Sequence, residues 1–282
     1  MKKISPYLAL IRISKPTGIY LLLWPTLWAL LVANKGHPSA SNLIIFALGV
    51  IIMRSLGCIL NDIADKNIDK LVERTATRPI TNNAISVKSA LLFALFFLIA
   101  ALLLLLMLPV KVWCLAIAAL LIAACYPYGK RLIKCPQIIL GIAFSWPIPM
   151  VFMASNNTIS QQGWALFFIA IIWPLIYDTQ YAISDRPEDL KIGVHSSAIW
   201  FGKHDNCILN MLQTSYVVLW AIFALNYNFN SMFYLCLAGV AANGYYQHTL
   251  VKNHNPQLCQ KAFKMHNYSG MLICIGLLAN YL

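Results

Sequence analysis

The apolar stretch "LIIFALGVIIMRSLGCIL" (residues 43–60) runs directly into the polar stretch "NDIADKNIDKLVERTATRP" (residues 61–79). The first stretch carries a single charge, Arg54, and its length is close to the roughly 20 apolar residues that cross a bilayer. The second stretch holds four of the nine acidic side chains of the chain. The pair therefore predicts a transmembrane helix that ends in an acidic cluster.

The composition extends this prediction to the whole chain. Of the 282 residues, 60% are hydrophobic and 11% are charged, whereas a soluble domain is about 45–50% apolar and about 25% charged. Because backbone amides must be satisfied without water inside lipid, we expect helices. The sequence predicts an all-α polytopic membrane protein with nine transmembrane helices around a central cavity. The candidate spans are 17–34, 43–60, 89–108, 110–126, 136–154, 164–181, 207–226, 231–250 and 268–282.

The positive charges are distributed unevenly between the two ends of these spans. Apart from Lys35, Lys111 and Arg54, every Lys and Arg lies in the N-terminal tail or after an even-numbered span. Cytoplasmic segments of membrane proteins carry such an excess of cations, which predicts an N-terminus in the cytoplasm. The net charge of +12 is therefore interpreted as topology and contact with anionic lipid headgroups, and nucleic acid is not expected as a partner.

The negative charges are confined to two places. Each acidic residue lies at the end of the second or the sixth candidate span or follows it, so both groups are expected on the cytoplasmic side. The two spans are four apart in order. This spacing suggests a duplicated four-helix unit whose two halves run parallel.

In the first acidic cluster, Asn61, Asp65 and Asp69 are spaced i, i+4 and i+8. On a continuing helix they would lie along one face. One amide oxygen and two carboxylates suit Mg²⁺, which prefers few protein ligands together with water and substrate phosphates. The alternative is a solvated helix extension in which the aspartates pair with nearby cations, namely Lys66, Lys70 and Arg74.

In the second cluster, "YDTQYAISDRPEDLKIG" places Asp178, Asp185 and Asp189 at i, i+7 and i+11 at the end of the sixth span, with Tyr181 four residues before Asp185. Two acidic helix ends that face each other would repel unless cations lie between them. A diphosphate bridged by two Mg²⁺ ions satisfies this requirement. Pro187 disfavours helical geometry at the preceding residue, so Asp185 and Asp189 are expected on separate helical segments, with Pro187 beginning the second.

Basic and phenolic side chains accompany the two clusters on the same predicted side. Arginine and lysine donors bind phosphate oxygens, and arginine can do so with two parallel hydrogen bonds. The alternative is that each is simply a cytoplasmic cation of the topology. The candidates for diphosphate contact are Arg74, Arg78, Tyr126, Lys130 and Lys191.

Arg54 lies inside the second span, where a charge is costly and is usually directed at a cavity or a partner. It precedes Asn61 by seven residues, which places both on one helix face with Arg54 about 10 Å deeper. A carboxylate on the substrate is one candidate partner. Snorkelling to the interface, or a structural hydrogen bond to a neighbouring helix, is the alternative.

Four stretches of the chain are similar to the UbiA-type family of membrane-embedded aromatic prenyltransferases. "IRISKPTGIYLLLWPTLWAL" (residues 11–30) resembles the branch that acts on 4-hydroxybenzoate, and "YPYGKRLIKCPQIILGIAFSWPIPMVF" fits the central part of the family. The pattern NDxxDxxxD followed by RTxxRP occurs in residues 61–79. The pattern DxxYAxxDxxxD followed by KIG occurs in residues 178–193.

The resemblance implies a role for each matching position. Residues that would hold Mg²⁺ and the diphosphate are Asn61, Asp65, Asp69, Asp185 and Asp189. Residues that would contact the diphosphate are Tyr126, Lys130, Arg74, Arg78 and Lys191. Arg54 would bind the aromatic carboxylate, and Asp178 and Tyr181 would shape the ring pocket, with Asp178 orienting the phenol or taking its proton.

The resemblance further implies a single prenyltransferase domain over residues 1–282 in the bacterial inner membrane. It would transfer a polyprenyl group from polyprenyl diphosphate to 4-hydroxybenzoate in ubiquinone biosynthesis. Span pattern and acidic motifs leave open a family member with another acceptor, such as haem, a naphthoate or homogentisate. A cation-coupled transporter is the other alternative, although transporters place such sites near the bilayer midplane.

Overall fold

The computed structural model describes residues 5–71 and 73–282, without the side chains of residues 73, 74, 126–128, 130 and 131. Within this part of the chain every regular element is helical. The α-helices are α1 (Pro6–Leu10), α2 (Thr17–Ala33), α3 (Ala40–Ala64), α4 (Glu73–Ala76), α5 (Val87–Leu106), α6 (Lys111–Leu132), α7 (Gln137–Ser145), α8 (Pro147–Asn156), α9 (Gln161–Ile192), α10 (Ser197–Phe201), α11 (Asp205–Asn226), α12 (Ser231–Val251) and α13 (Pro256–Tyr281). Two short 3₁₀ helices cover Asp69–Leu71 and Gly202–His204.

Five helical segments in the described part of the chain are long and apolar enough to cross a membrane. They are Ala40–Ala64, Val87–Leu106, Gln137–Asn156, Gln161–Ile192 and Ser197–Asn226. The prediction of an all-helical integral membrane protein is therefore confirmed. The nine-span topology, the central cavity and the parallel duplication stay predictions.

Capping residues begin both helices that carry the acidic motifs, and a glycine ends the second of them. The hydroxyl of Ser39 accepts the Asn42 amide at 3.2 Å and caps α3, and Ser160 caps α9 in the same way. Serine at such a position satisfies an amide that has no partner within the helix. Gly193 ends α9 in the left-handed region at φ 71°, which glycine adopts without a steric penalty.

The first acidic motif does not continue as one α-helix. Helix α3 ends at Ala64, and the next helical turn begins at Asp69. The spacing of the three polar residues is nevertheless kept, because the Asp65 amide donates to the Asn61 carbonyl at 2.9 Å and the Asp69 amide donates to the Asp65 carbonyl at 2.8 Å. The backbone therefore continues the helical pattern of bonds between residues four apart, from Asn61 to Asp69, after the α-helix itself has ended.

The expectation that Pro187 divides the second motif is wrong. Helix α9 continues through Pro187, so Asp185 and Asp189 lie one turn apart on a single helix. A proline removes one backbone donor and bends a helix, but packing on neighbouring helices can compensate. Here α9 packs against α7, α11 and α13, and Arg186 beside the proline forms an ion pair with Asp205.

Helices α2, α9 and α13 pack closely against one another. The fully buried Trp28 donates its indole N–H to the Gly270 carbonyl at 3.1 Å, and its ring lies 5.0 Å from that of Trp173. A Cβ atom on Gly270 would lie 2.4 Å from Cδ1 of Trp24, so only glycine permits this approach. A second, smaller core joins α1, α3 and α5 beneath the first acidic motif.

Candidate functional site

The carboxylates of the first motif are withdrawn from solvent. Asp62 is 1% exposed, Asp65 is 7% exposed and Asp69 is 5% exposed. Buried carboxylates require cations or hydrogen-bond donors, because removing their hydration is costly. The alternative, a solvated helix extension whose aspartates pair with Lys66, Lys70 and Arg74, requires exposed carboxylates, and these three aspartates are buried.

Two arginines that lie outside α3 form ion pairs with Asp62 and Asp69. Arg12 donates from Nη2 to Oδ1 of Asp62 at 2.8 Å. Arg78 lies between two carboxylates, with Nη1 at 2.7 Å from Oδ2 of Asp69 and 3.1 Å from Oδ1 of Asp62. Arg78, which was predicted to bind diphosphate, is therefore located at the acidic motif, whereas nothing in the sequence singled out Arg12.

The loop after the motif returns Arg78 to it. The Thr75 hydroxyl donates to the Asp69 carbonyl at 3.0 Å, and the Arg78 amide donates to the Thr75 carbonyl at 2.9 Å. These bonds bring Arg78 back towards Asp69. Two positions of the RTxxRP pattern are thereby explained, since its threonine shapes the turn and its second arginine reaches the aspartates.

Asn61 carries an unsatisfied acceptor. Its Oδ1 atom is buried and has no hydrogen-bond partner among the described residues. Such an atom costs about 1–3 kcal/mol unless something binds it. No group of three or more His, Cys, Asp or Glu side chains in the described ranges could hold a metal ion unaided. Mg²⁺ needs only one or two carboxylates when water and phosphate oxygens complete its shell, so Asn61 and the aspartates suit that ion.

The second motif lies on one side of α9. Asp178, Tyr181, Asp185 and Asp189 are half-buried, and each makes interactions within the protein. The ring of Tyr181 packs edge-on against Phe263 of α13, with centroids 5.0 Å apart. Spacings of seven and four residues keep the three aspartates on one face of a helix.

Asp62 stabilises the charge on Arg12. Burial lowers the pKa of the Arg12 guanidinium, but nearby groups that include Asp62 raise that pKa by more, so the net shift is upward. Arg12 therefore stays positively charged beside the end of α3.

Arg54 occupies a separate, deeper position on α3. Its Cζ atom lies 5.5 Å from the ring centroid of Phe144 on α7, which is within the range of a cation–π contact. A Cβ atom on Gly18 would lie 2.6 Å from Nε and Nη2 of Arg54, so the guanidinium rests directly on the backbone of α2. In the described part of the chain, Arg54 forms no ion pair with a carboxylate.

Buried polar contacts hold the opposite face of α9. The Trp173 indole donates to Nδ1 of His266 at 2.9 Å, and Nε2 of His266 lies 3.1 Å from Oε1 of Gln180. Because an indole N–H can only donate, His266 must carry its proton on Nε2 and donate it to Gln180. Farther along α9, Arg186 pairs with the fully buried Asp205 at the start of α11. These contacts fix the rotation of α9 about its axis.

Three residues at this site were not identified from the sequence. Arg12 has no local signal because its partner Asp62 is fifty residues away. Gly18 is identified only by its contact with Arg54, and His266 only by its bonds to α9. The side chains of three predicted residues, Arg74, Tyr126 and Lys130, lie outside the described residues. Lys191 is described and is exposed in the last turn of α9.

Similar sequences cover nearly the whole chain. A protein of Coxiella burnetii (strain CbuK_Q154) named 4-hydroxybenzoate octaprenyltransferase is 44% identical over 281 residues, which cover 99% of this chain and 98% of the relative. A protein of Pseudoalteromonas translucida (strain TAC 125) with the same name is 46% identical over 276 residues, covering 98% of this chain and 94% of the relative.

Solved structures share the fold. The apo structure of a UbiA homolog from Aeropyrum pernix K1 superposes with a TM-score of 0.80 at 22% identity, covering 93% of this chain and 98% of that one. A UbiA homolog from Archaeoglobus fulgidus bound to GPP and Mg²⁺ gives a TM-score of 0.76 at 18% identity, covering 98% of this chain and 100% of that one. The sequence model of the UbiA prenyltransferase family matches residues 22–269. The chain belongs to the UbiA prenyltransferase family.

Proposed function

We propose that this protein transfers a polyprenyl group from a polyprenyl diphosphate to 4-hydroxybenzoate, at the ring carbon ortho to the hydroxyl, in ubiquinone biosynthesis. The names of the two relatives described above support this donor and acceptor. The structural observation that carries the acceptor assignment is Arg54. Its half-buried guanidinium is held between Gly18 and Phe144 and forms no ion pair with a described carboxylate.

The donor would bind between the two acidic motifs. Asn61, Asp65, Asp69, Asp185 and Asp189 are the proposed ligands for Mg²⁺ and, through it, for the diphosphate. The unsatisfied Oδ1 atom of Asn61 supports this assignment. When bound, Mg²⁺ would supply positive charge that stabilises the departing diphosphate. Arg78 and Lys191, together with Arg74, Tyr126 and Lys130, are the proposed donors to the diphosphate oxygens.

The chemistry requires cleavage of an allylic carbon–oxygen bond and formation of a carbon–carbon bond. The bonding electrons leave with the diphosphate, and cation character develops on the prenyl carbon. The ring carbon next to the phenol hydroxyl attacks that carbon and then loses its proton. Asp178, half-buried near Tyr181 on α9, is the proposed group that orients the phenol or accepts a proton. Fixed dipoles and charges of this kind stabilise a transition state because they need not reorganise.

The chemistry of the prenyl donor explains why the enzyme lies within a membrane. A polyprenyl tail is insoluble in water, so an enzyme within the bilayer can take it directly from lipid. We place the whole chain, residues 1–282, in one transmembrane prenyltransferase domain with nine spans in the bacterial inner membrane. The excess of cations near both motifs supports a cytoplasmic N-terminus and cytoplasmic active-site loops.

The proposed reaction is tested by assaying the purified protein with Mg²⁺, octaprenyl diphosphate and a panel of acceptors. We expect a prenylated 4-hydroxybenzoate whose mass equals that of the acid plus the octaprenyl group minus one hydrogen. EDTA should abolish the product, and added Mg²⁺ should restore it. Product with a naphthoate or homogentisate but none with 4-hydroxybenzoate would disprove the acceptor assignment. Equal turnover in EDTA would disprove the metal assignment.

Substitution of Gly18 by alanine is expected to weaken binding of the aromatic acid. The new Cβ atom would lie 2.6 Å from two nitrogens of Arg54, so the flexible guanidinium must move away. A displacement of this size should raise the KM for 4-hydroxybenzoate about 10-fold, with little change in the KM of the prenyl donor. Gly57→Ala is the matched control, because Gly57 lies on α3 together with Arg54 and its Cβ atom would meet nothing within 4 Å. An unchanged KM in Gly18→Ala would show that the position of Arg54 does not matter.

A further inference from the structure

We propose that Arg12 is a positioning residue for the diphosphate site, because it neutralises Asp62 and so leaves Arg78 available to Asp69 and to the incoming diphosphate. The proposal rests on the proposed binding of diphosphate at the first motif. It assigns a role to the ion pair between Arg12 and Asp62, neither of which is a proposed ligand of Mg²⁺ or of the diphosphate.

The first step of the argument is charge balance. Asp62 and Asp69 are both buried, and the described side chains that neutralise them are Arg12 and Arg78. Arg78 contacts both carboxylates, whereas Arg12 contacts only Asp62. Among the described side chains, two guanidinium groups thus serve these two carboxylates. Loss of Arg12 would leave Arg78 as the described cation shared by both, and a buried carboxylate with too little positive charge is strongly unfavourable.

The second step concerns where Arg78 would go. Its Nη1 atom is already 3.1 Å from Asp62, so a short movement would place the guanidinium on that carboxylate. The contact with Asp69 at 2.7 Å would then weaken, and fewer guanidinium hydrogens would face the diphosphate. Arg12 therefore acts through Arg78 and does not itself need to touch the substrate.

The third step is the backbone of Arg12. This residue has φ 57°, in the left-handed region that residues other than glycine, asparagine and aspartate rarely adopt. Its amide donates to the Ala9 carbonyl at 3.1 Å, and its own carbonyl accepts the Lys15 amide at 2.9 Å. The turn between α1 and α2 is thus folded in a conformation that costs energy for arginine. Such strain is concentrated where a side chain must be held in place for function.

The fourth step is the location of Arg12 relative to the acceptor side of the site. Its ion pair is with Asp62 at the end of α3, whereas Arg54 lies eight residues before Asp62, deeper on the same helix. Removing the charge of Arg12 should therefore change the donor side of the site and leave Arg54 unaffected.

The test is a double-mutant cycle with Arg12→Asn and Asp62→Asn. Asparagine tolerates the left-handed backbone, so Arg12→Asn removes the charge with the least strain. We expect this variant to lose about 100-fold in kcat/KM for octaprenyl diphosphate, with the KM for 4-hydroxybenzoate nearly unchanged. The double variant leaves no uncompensated carboxylate, so it should recover at least about 10-fold of that loss. Lys15→Asn removes an exposed cation from the same segment and should stay within about 2-fold of the wild type.

Binding provides a readout that is independent of turnover. The Mg²⁺-dependent affinity for a non-hydrolysable prenyl thiolodiphosphate should fall in Arg12→Asn and recover in the double variant. If the double variant is no better than Arg12→Asn, Arg12 contacts the diphosphate directly and the positioning role is disproved. If Arg12→Asn does not fold, the double variant decides alone, since it should lie within about 10-fold of the wild type. Wild-type protein that binds the analogue but does not prenylate 4-hydroxybenzoate would contradict the acceptor assignment and leave this inference intact.

Discussion

Replacing Asp65 or Asp185 by asparagine should lower prenyl transfer by about 10³-fold. Asparagine has nearly the same shape as aspartate but lacks the negative charge that holds a divalent cation, and loss of such electrostatic stabilisation at a reacting centre costs about 10²–10³-fold in kcat. Asp65 is 7% exposed, and Asp185 lies half-buried on α9. Initial rates over a range of Mg²⁺ concentrations, with products measured by mass spectrometry, would check both variants.

The matched control for these variants is Glu188→Gln. Glu188 lies within the second motif between Asp185 and Asp189 but is not among the proposed ligands. The Glu188→Gln variant loses one negative charge at the same helix end but loses no proposed ligand. Its activity should therefore remain within a few-fold of the wild type. Folding of each variant is checked by gel filtration in detergent and by thermal unfolding. Normal turnover by folded Asp65→Asn or Asp185→Asn would contradict the proposed metal site.

The second large effect is expected at Arg54. Arg54→Gln should raise the KM for 4-hydroxybenzoate about 100-fold and leave the KM of the prenyl donor within about 3-fold. The reason is that hydrogen bonds to a charged group contribute about 1.5–3 kcal/mol, which corresponds to roughly 10- to 150-fold in binding. Arg54→Lys keeps the charge but loses the planar pair of donors, so an intermediate KM is expected. Steady-state kinetics with each substrate varied in turn would measure these constants.

An uncharged acceptor isolates the carboxylate contact. Methyl 4-hydroxybenzoate has no carboxylate, so the wild type and Arg54→Gln should turn it over with similar kcat/KM. A penalty of the same size for the acid and the ester would show that Arg54 has a structural role, such as its contact with Phe144. Equal increases in the KM of the donor and of the acid would also contradict carboxylate binding.

Much of the architecture was predictable because it depends on local composition. Each of the nine candidate spans coincides with a helix or, for residues 136–154, with the consecutive helices α7 and α8. Both acidic motifs could be identified because their residues are close in sequence and occur after apolar segments. Pro187 is where the local rule failed. A proline disfavours helix on its own, but packing and the Arg186–Asp205 ion pair keep α9 continuous.

The sequence by itself determined that this is a helical membrane protein with two acidic motifs and with an arginine, Arg54, deep within an apolar span. Those features depend on residue type and short-range spacing, which a linear chain displays directly. Only the tertiary structure decided that Arg12 neutralises Asp62, that Gly18 supports Arg54, and that His266 orients α9. The partners in these contacts are far apart in the chain, and their meeting depends on how whole helices pack. Asp62 and Asp69 are buried, so water cannot stabilise their negative charges. Their ion pairs with arginine are therefore needed for stability, because the compensating positive charge must come from the protein itself.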